Sequence, residues 1–269
     1  MNHFLAVLLF ELRRSVTVTR VMWWIVLASL PILVTVLLRF GTEMDEAIRS
    51  GRMPAEAVNS TWSVLYYVIV TCVSCTLGVF LNTAPAVATE LEQHSWVYMA
   101  TRPNGIRWLL FGKYTIGVLW AATAAIAGLS VSVFLCEAPE SWLIWRTLTV
   151  LCILSSLCYG AIYLMIGAIM PKRAMVLCVV YTIFVEIVLG LIPAVVNRLT
   201  IQYRLRSLFV NWAPLNQDIR NQPFFGHVFD EKSAAWQIAW LMGLMILFLA
   251  AAQVVAHRKE FTQASEGDM

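Results

Sequence analysis

A chain of 269 residues that is 60% hydrophobic and only 13% charged, with a mean hydropathy of +0.74, departs from the roughly 45–50% apolar and about 25% charged composition of water-soluble domains. Hydrocarbon is its main solvent, and at about 20 residues per crossing the length holds six spanning helices with modest loops. The formal net charge of +3 is small and its basic residues sit at helix ends rather than in one patch, which argues against nucleic acid as a partner.

The first twenty residues place Leu5, Leu8, Leu9, Leu12 and Val16 at helical spacing, with His3, Glu11, Arg13, Arg14 and Arg20 supplying a polar side. That pattern predicts an amphipathic helix lying in the membrane interface. Residues 21–38 form an uncharged apolar run containing Pro31. It is too long for a signal-peptide core and no small-residue cleavage site follows, so it reads as a retained first span. Residues 39–61 are polar and mixed in charge. A second span over 62–84 opens with Trp62, Tyr66 and Tyr67, and Pro85 marks its end or a kink. The polar stretch that follows carries Glu90, Glu92, His94, Arg102 and Arg107 with an RPNG turn at Arg102 to Gly105, which predicts a helical hairpin between two spans.

The third span covers 108–135, clearest from Tyr114, and ends in an acidic turn with Glu137, Pro139 and Glu140. A fourth span, 142–170, is reversed within a few residues by the PKR of Pro171 to Arg173 into a fifth, 174–196. A long polar segment, 197–233, precedes the last span, 234–255, and a basic tail with His257, Arg258 and Lys259. No internal repeat, flexible linker or low-complexity tract interrupts the chain, so residues 1–269 read as one all-α transmembrane domain. Lys and Arg near span ends divide ten to nine between the two sides, too evenly to orient the chain. The shortest loops decide it: the basic PKR and the acidic CEAPES alternate as the positive-inside bias requires, which places both termini in the cytoplasm, with the inner cell membrane as the location.

Residues for chemistry are sparse. Cys72, Cys75, Cys152, Cys158 and Cys178 lie within apolar runs and read as small hydrophobes, the CxxC of Cys72 and Cys75 included, while Cys136 stands at a loop edge. His3, His94, His227 and His257 are scattered, with no carboxylate or cysteine at ligand spacing, so no metal site is expected. Gly112 and Lys113 resemble the end of a phosphate loop, but Arg107 stands where that loop needs a glycine. Lys113 reads instead as a charge snorkelling to the cytoplasmic interface. No catalytic residue and no cofactor site is expected. Glu186, deep in the fifth span, must face protein or water, because an ionised carboxylate in lipid is costly. Two readings stay open for it: a proton-relay or substrate contact, and a carboxyl hydrogen-bonded to another helix. Arg146 reads as an interfacial anchor. Within 197–233, Leu205, Leu208, Phe209 and Trp212 stand at helical spacing, compatible with a short helix dipping into the outer leaflet against the spans or with a solvated loop.

Two stretches resemble permease subunits of the type-2 ATP-binding-cassette (ABC) transporter family. ELRR (Glu11 to Arg14), with Arg20, Trp23 and Trp24, is similar to the family's interfacial helix leading into the first span. ATELEQHSWVYMATRPNGIRWLLFGKY (Ala88 to Tyr114) is similar to its cytoplasmic segment between spans two and three, although the family commonly has a small Gly-Thr pair where this chain has Gln93 to Trp96. The resemblance implies a coupling helix that docks on a separate cytoplasmic ABC ATPase subunit, with Glu90, Glu92, His94, Arg102 and Arg107 as the coupling residues. It also implies a second permease subunit, in a homodimer or heterodimer, completing a pathway for export. The competing expectations are a proton-coupled secondary carrier working through Glu186 and a non-transporting membrane anchor.

Overall fold

The computed structural model describes residues 3–40, 46, 50, 53–96, 101, 104–188, 190, 197, 199–217 and 233–258. Among these every regular element is helical and there is no strand. Five helices are long and apolar enough to cross a membrane: Val18–Phe40, Ala55–Glu92, Gly105–Cys136, Ser141–Ile169 and Ala234–Arg258. This is a multi-pass membrane architecture. Six spans were expected; over the expected fifth, 174–196, a shorter helix begins at Ala174 and residues 189 and 191–196 lie outside the described residues.

The chain starts with α1 (His3–Ser15) and breaks for two residues before α2 (Val18–Phe40). Thr17 caps α2, its hydroxyl accepting from the Arg20 backbone N–H at 3.4 Å, the usual way to satisfy one of the orphan donors at a helix start. Pro31 sits inside α2 and has no N–H for the carbonyl of Leu27 one turn earlier. The Ser74 hydroxyl takes up that carbonyl at 3.4 Å, so a neighbouring helix supplies what the proline removes.

The second span runs as α3 (Ala55–Tyr66), a π-helical stretch (Tyr67–Ser74) and α4 (Cys75–Thr83). After a turn at Ala84 and Pro85 it resumes as α5 (Ala86–Glu92). It therefore starts seven residues before the predicted 62, inside a stretch expected to be polar loop. The reason is burial: Asn59, Ser60 and Ser63 are enclosed by protein, and Asn59 Oδ1 accepts from the Glu140 backbone N–H at 3.1 Å. Trp62, Tyr66 and Tyr67 are likewise fully buried rather than at a lipid interface. Next come α6 (Gly105–Cys136) and α7 (Ser141–Ile169). A 3₁₀ turn (Pro171–Arg173) leads into α8 (Ala174–Tyr181), which passes into a second π-helical stretch (Thr182–Val188). Cys136 closes the last turn of α6, at the edge of the loop as expected, and is buried there. The segment 197–233 contains α9 (Ile201–Trp212), buried along nearly its whole length, so the loop reading is replaced by a helix packed on the spans. Residues 198 and 218–232 lie outside the described residues. The chain's last described helix is α10 (Ala234–Arg258).

Helix α7 is the axis of the bundle, packing against α4, α6, α9 and α10, with Tyr159, Tyr163, Leu148 and Leu151 fully enclosed. Peripheral α2 and α10 turn large apolar side chains outward, among them Leu33, Leu37, Ile246 and Leu247. Contiguous apolar surface of that kind belongs against lipid. Helices inside a bilayer gain nothing from hiding apolar surface from each other, so their contacts depend on small residues and close fit. At Gly128 a side-chain carbon would lie 2.5 Å from the Ala28 carbonyl oxygen, and at Gly167 the same distance from that of Ala84. Replacing Gly167 with Val should destabilise the detergent-solubilised chain by about 2 kcal/mol. The matched Gly243→Val, at a position with nothing within 4 Å, should leave the unfolding midpoint almost unchanged; equal effects would refute the close-packing account.

Candidate functional site

One end of the bundle gathers the N-terminus of α2, the α5 helix, the start of α6, the Pro171–Arg173 turn and the C-terminus of α10. Here α1, α5 and α6 each bring charge into a shielded space. Glu90, at 0% exposure, accepts from Lys113 Nζ at 2.7 Å and from Arg14 at 2.8 Å through the same carboxylate oxygen. Its other oxygen takes the Ser95 hydroxyl, and the Ser95 backbone N–H returns to the Glu90 carbonyl at 3.1 Å. Arg14 also donates to Gln93. Glu11, buried on α1, lies 3.7 Å from Arg14 and 3.9 Å from Lys113. A further bond, Trp120 Nε1 to Ser15 Oγ at 2.9 Å, fastens the end of α1 to α6.

Two carboxylates and two cations thus close into a charge-balanced bracket joining three segments distant in sequence. Lys113 does not snorkel to water as expected; its side chain is only 9% exposed and its ammonium is spent on Glu90. Of the residues expected to act in coupling, Glu90 is inside this bracket, whereas Glu92, His94 and Arg107 are exposed on the same end of the molecule. Arg102 lies outside the described residues. Glu11, Arg14 and Lys113 were not singled out as site residues. The available signal was that Glu90 and Lys113 flank one hairpin with opposite charge, and that Glu11 and Arg14 lie one helical turn apart. Between α5 and α6, His94 and Asn104 both have left-handed backbone, with φ of 54° and 58°, a conformation non-glycine residues adopt at a cost.

The second polar site lies toward the other half of the bundle. Glu186, on the π-helical stretch, is almost fully buried and accepts from the Tyr181 hydroxyl at 2.8 Å and the Tyr159 hydroxyl at 3.1 Å. Its carboxylate also accepts from the backbone N–H groups of Gln202 at 3.0 Å and Ile201 at 3.5 Å. Those are the first two helical positions of α9, and Thr200 Oγ1 takes the Tyr203 N–H at 3.2 Å. With the Thr200 N–H on the Asn197 carbonyl at 3.0 Å, all four orphan donors at that helix start are satisfied, two of them by a carboxylate placed where the helix dipole favours negative charge. Alongside, Tyr67 donates to the Gln202 side-chain oxygen at 3.0 Å and stacks on Phe209. Arg204 lies over the rings of Tyr203 and Trp240, and Arg206 donates to the Gly190 carbonyl at 3.4 Å. The cysteines are all free, and those in the spans are packed among apolar neighbours. Among the described residues no cluster of His, Cys, Asp or Glu is arranged to hold a metal ion. Arg146 is exposed near the start of α7.

Compared with protein-family models, with curated proteins and with solved structures, the chain matches none.

Both sites respond to substitution in ways that separate a paired charge from a solvated one. Lys113→Met leaves Glu90 facing Arg14 alone and should cost about 3 kcal/mol of stability, the scale for breaking a buried pair. Combining it with Glu90→Leu should restore most of that loss; a double variant as weak as the sum of the singles would show that the two side chains do not interact. Glu186→Leu should cost about 3 kcal/mol by orphaning two phenols and two backbone N–H groups, while Glu186→Gln, which keeps one acceptor oxygen, should cost about 1 kcal/mol. Thermal unfolding in detergent reads both, and similar losses for the two Glu186 variants would argue against the capping role.

Proposed function

We propose that the chain is the membrane-spanning permease subunit of an ATP-driven ABC-type exporter, working as a dimer and coupled to a separate cytoplasmic ATPase. The observation that carries this reading is the bracket: a buried ion-pair network that locks a charged hairpin to α1 and α6. On the same end Glu92, His94, Arg107, Lys172 and Arg173 are left in solvent. A chain without a nucleotide site of its own draws on ATP only by being moved from outside, and a charged element fixed to two spans transmits such a push. The resemblance of Ala88 to Tyr114 to a coupling segment rests on this same stretch.

Parity of the helix ends supports a reading with six crossings. The hairpin, the Pro171–Arg173 turn and the C-terminus of α10 lie at one end, and the acidic turn between α6 and α7 lies at the other. A chain leaving Arg173 at one end and entering α10 at Ala234 from the other crosses once between them, which is the role of the segment beginning with α8. The hairpin end carries the basic turn and the opposite end the acidic one, so the hairpin, with both termini, faces the cytoplasm. Closure of the ATPase pair on ATP would tilt the second and third spans and switch a cleft between the two permease subunits from inward to outward access.

Purification from native membranes tests the assignment directly. The wild-type chain should bring down a nucleotide-hydrolysing subunit, and the pair Glu92→Arg with Arg107→Glu should lower its recovery about tenfold, the effect of roughly 1.4 kcal/mol of lost docking energy. The unfolding midpoint of the variant should not change. Failure to recover any ATPase with the wild-type chain would overturn the permease reading; full recovery with the charge-reversed chain would overturn the docking residues.

A further inference from the structure

Beside the bracket, between the start of α2, the end of α4 and the middle of α6, lies a cavity of about 300 Å³, the volume of roughly ten liquid waters. Thr17, Arg20, Trp23, Trp24, Asn82 and Trp120 are among the residues that line it. The Trp24 ring nitrogen donates to Thr123 Oγ1 at 3.2 Å and that of Trp120 to Ser15, so two of the three indoles are held in place as walls. Indole rings are enriched where headgroups meet acyl chains, and the cavity sits at the depth where α1 passes into the first span.

Arg20 decides what the cavity suits. Two carboxylates, Glu11 and Glu90, face three cations here, Arg14 and Lys113 at close range and Arg20 from farther off beside Glu11, which leaves the group with one net positive charge. No side-chain hydrogen bond or ion pair joins Arg20 to any described residue, although its side chain is only partly exposed. A narrow cleft of about 30 Å³ lined by Arg20, Asn82, Glu11 and Lys113 shares Arg20 and Asn82 with the cavity, and Glu11 lies within ion-pair distance of Arg14 and Lys113 there but not of Arg20. A planar guanidinium with free N–H groups matches two oxygens of a phosphate, and one phosphodiester supplies the single negative charge the site lacks.

We propose that this cavity binds the phosphodiester headgroup of a membrane phospholipid, with Arg20 on the phosphate oxygens, the Thr17 and Asn82 side chains at the headgroup, and the indoles of Trp23, Trp24 and Trp120 against the glycerol and upper acyl carbons. The ligand is a lipid rather than a free anion because the walls are mostly aromatic and aliphatic. The site depends on the chain lying in a membrane and not on its being a permease, so it stands even where no ATPase is found.

The test uses the full chain, stripped of lipid in detergent, with thermal unfolding as the readout. Dioleoylphosphatidylglycerol should raise the midpoint by several degrees, whereas dioleoylglycerol, which has the same chains and no phosphate, and inorganic phosphate alone should not. Arg20→Gln should lose most of the shift. Thr17→Asp, which keeps a capping oxygen for α2 while placing a carboxylate beside Arg20, should lose it too, and decides the matter if Arg20→Gln does not fold. Arg146→Gln, at the opposite end of the bundle, should retain the full shift. The proposal is overturned if the phosphatidylglycerol shift is absent, survives Thr17→Asp, or is reproduced by dioleoylglycerol; an equal shift from inorganic phosphate would make this a site for free anions and overturn the lipid assignment.

Discussion

Taking a carboxylate out of water at the edge of a membrane is costly, and Glu90 meets that cost with two cations and a hydroxyl drawn from three segments. None of these partners suffices alone. The ammonium of Lys113 belongs to α6, the guanidinium of Arg14 to α1, and the serine to the turn that follows α5. Because an unpaired charge in that position costs several times what the pair contributes, the three segments are held in a single arrangement. The close approaches of Gly128 and Gly167 and the filled centre of α7 determine how the spans pack in cross-section. The bracket determines where the non-spanning pieces attach to them.

A second polar assembly does a different task by the same logic. Helix α9 enters the bundle with its first N–H groups facing protein, where no water is at hand to satisfy them. Glu186 and Thr200 take that place. The carboxylate is in turn held by Tyr159 of the axial helix and Tyr181 at the end of α8, so the irregular stretch between α8 and α9 is anchored to the most buried helix of the fold. Of the two readings open for Glu186, the geometry gives a full account of the hydrogen-bonded carboxyl: each oxygen has a phenol and a backbone donor within reach.

What the sequence made legible, and what it did not, divides along the line between hydrophobic pattern and pairing. Long uncharged runs are read from the energetics of transfer to hydrocarbon, and the spans led by Val21, Trp108, Trp142 and Ala234 lie within a few residues of the helices that contain them. Errors arose where polar residues are buried by protein instead of water. Asn59, Ser60 and Ser63 look like loop until a neighbouring backbone is seen to bond one of them, and Lys113 looks like a snorkelling charge until Glu90 is placed beside it. The serines and threonines deeper in the spans mislead less, because Thr83, Ser132 and Thr123 donate to carbonyls one turn back in their own helices and need no partner from elsewhere. Pairs between helices 76 to 135 residues apart leave no local trace. For that reason the charged residues flanking the hairpin could be named as a group while the division between Glu90, turned inward, and Glu92, turned outward, could not.

That division bears on how force would travel through the molecule. A hairpin whose only charges faced solvent would be free to swing on the bends at His94 and Asn104, and a push on it would be lost in the loop. Here Glu90 ties α5 to α1 and α6, so α5 cannot move without either breaking a buried ion pair or carrying those helices with it. The second course is the less costly. Helix α6 lies against α2, α4 and α7 through small residues, with Gly78 against Ala121, Gly117 against Thr83 and Gly160 against Tyr114 and Val118. These are close contacts, and they hold the helices against one another. On the proposed reading, the ion pairs would hold α5 to α1 and α6 at one end, and a displacement of α5 would be passed to the helices it joins.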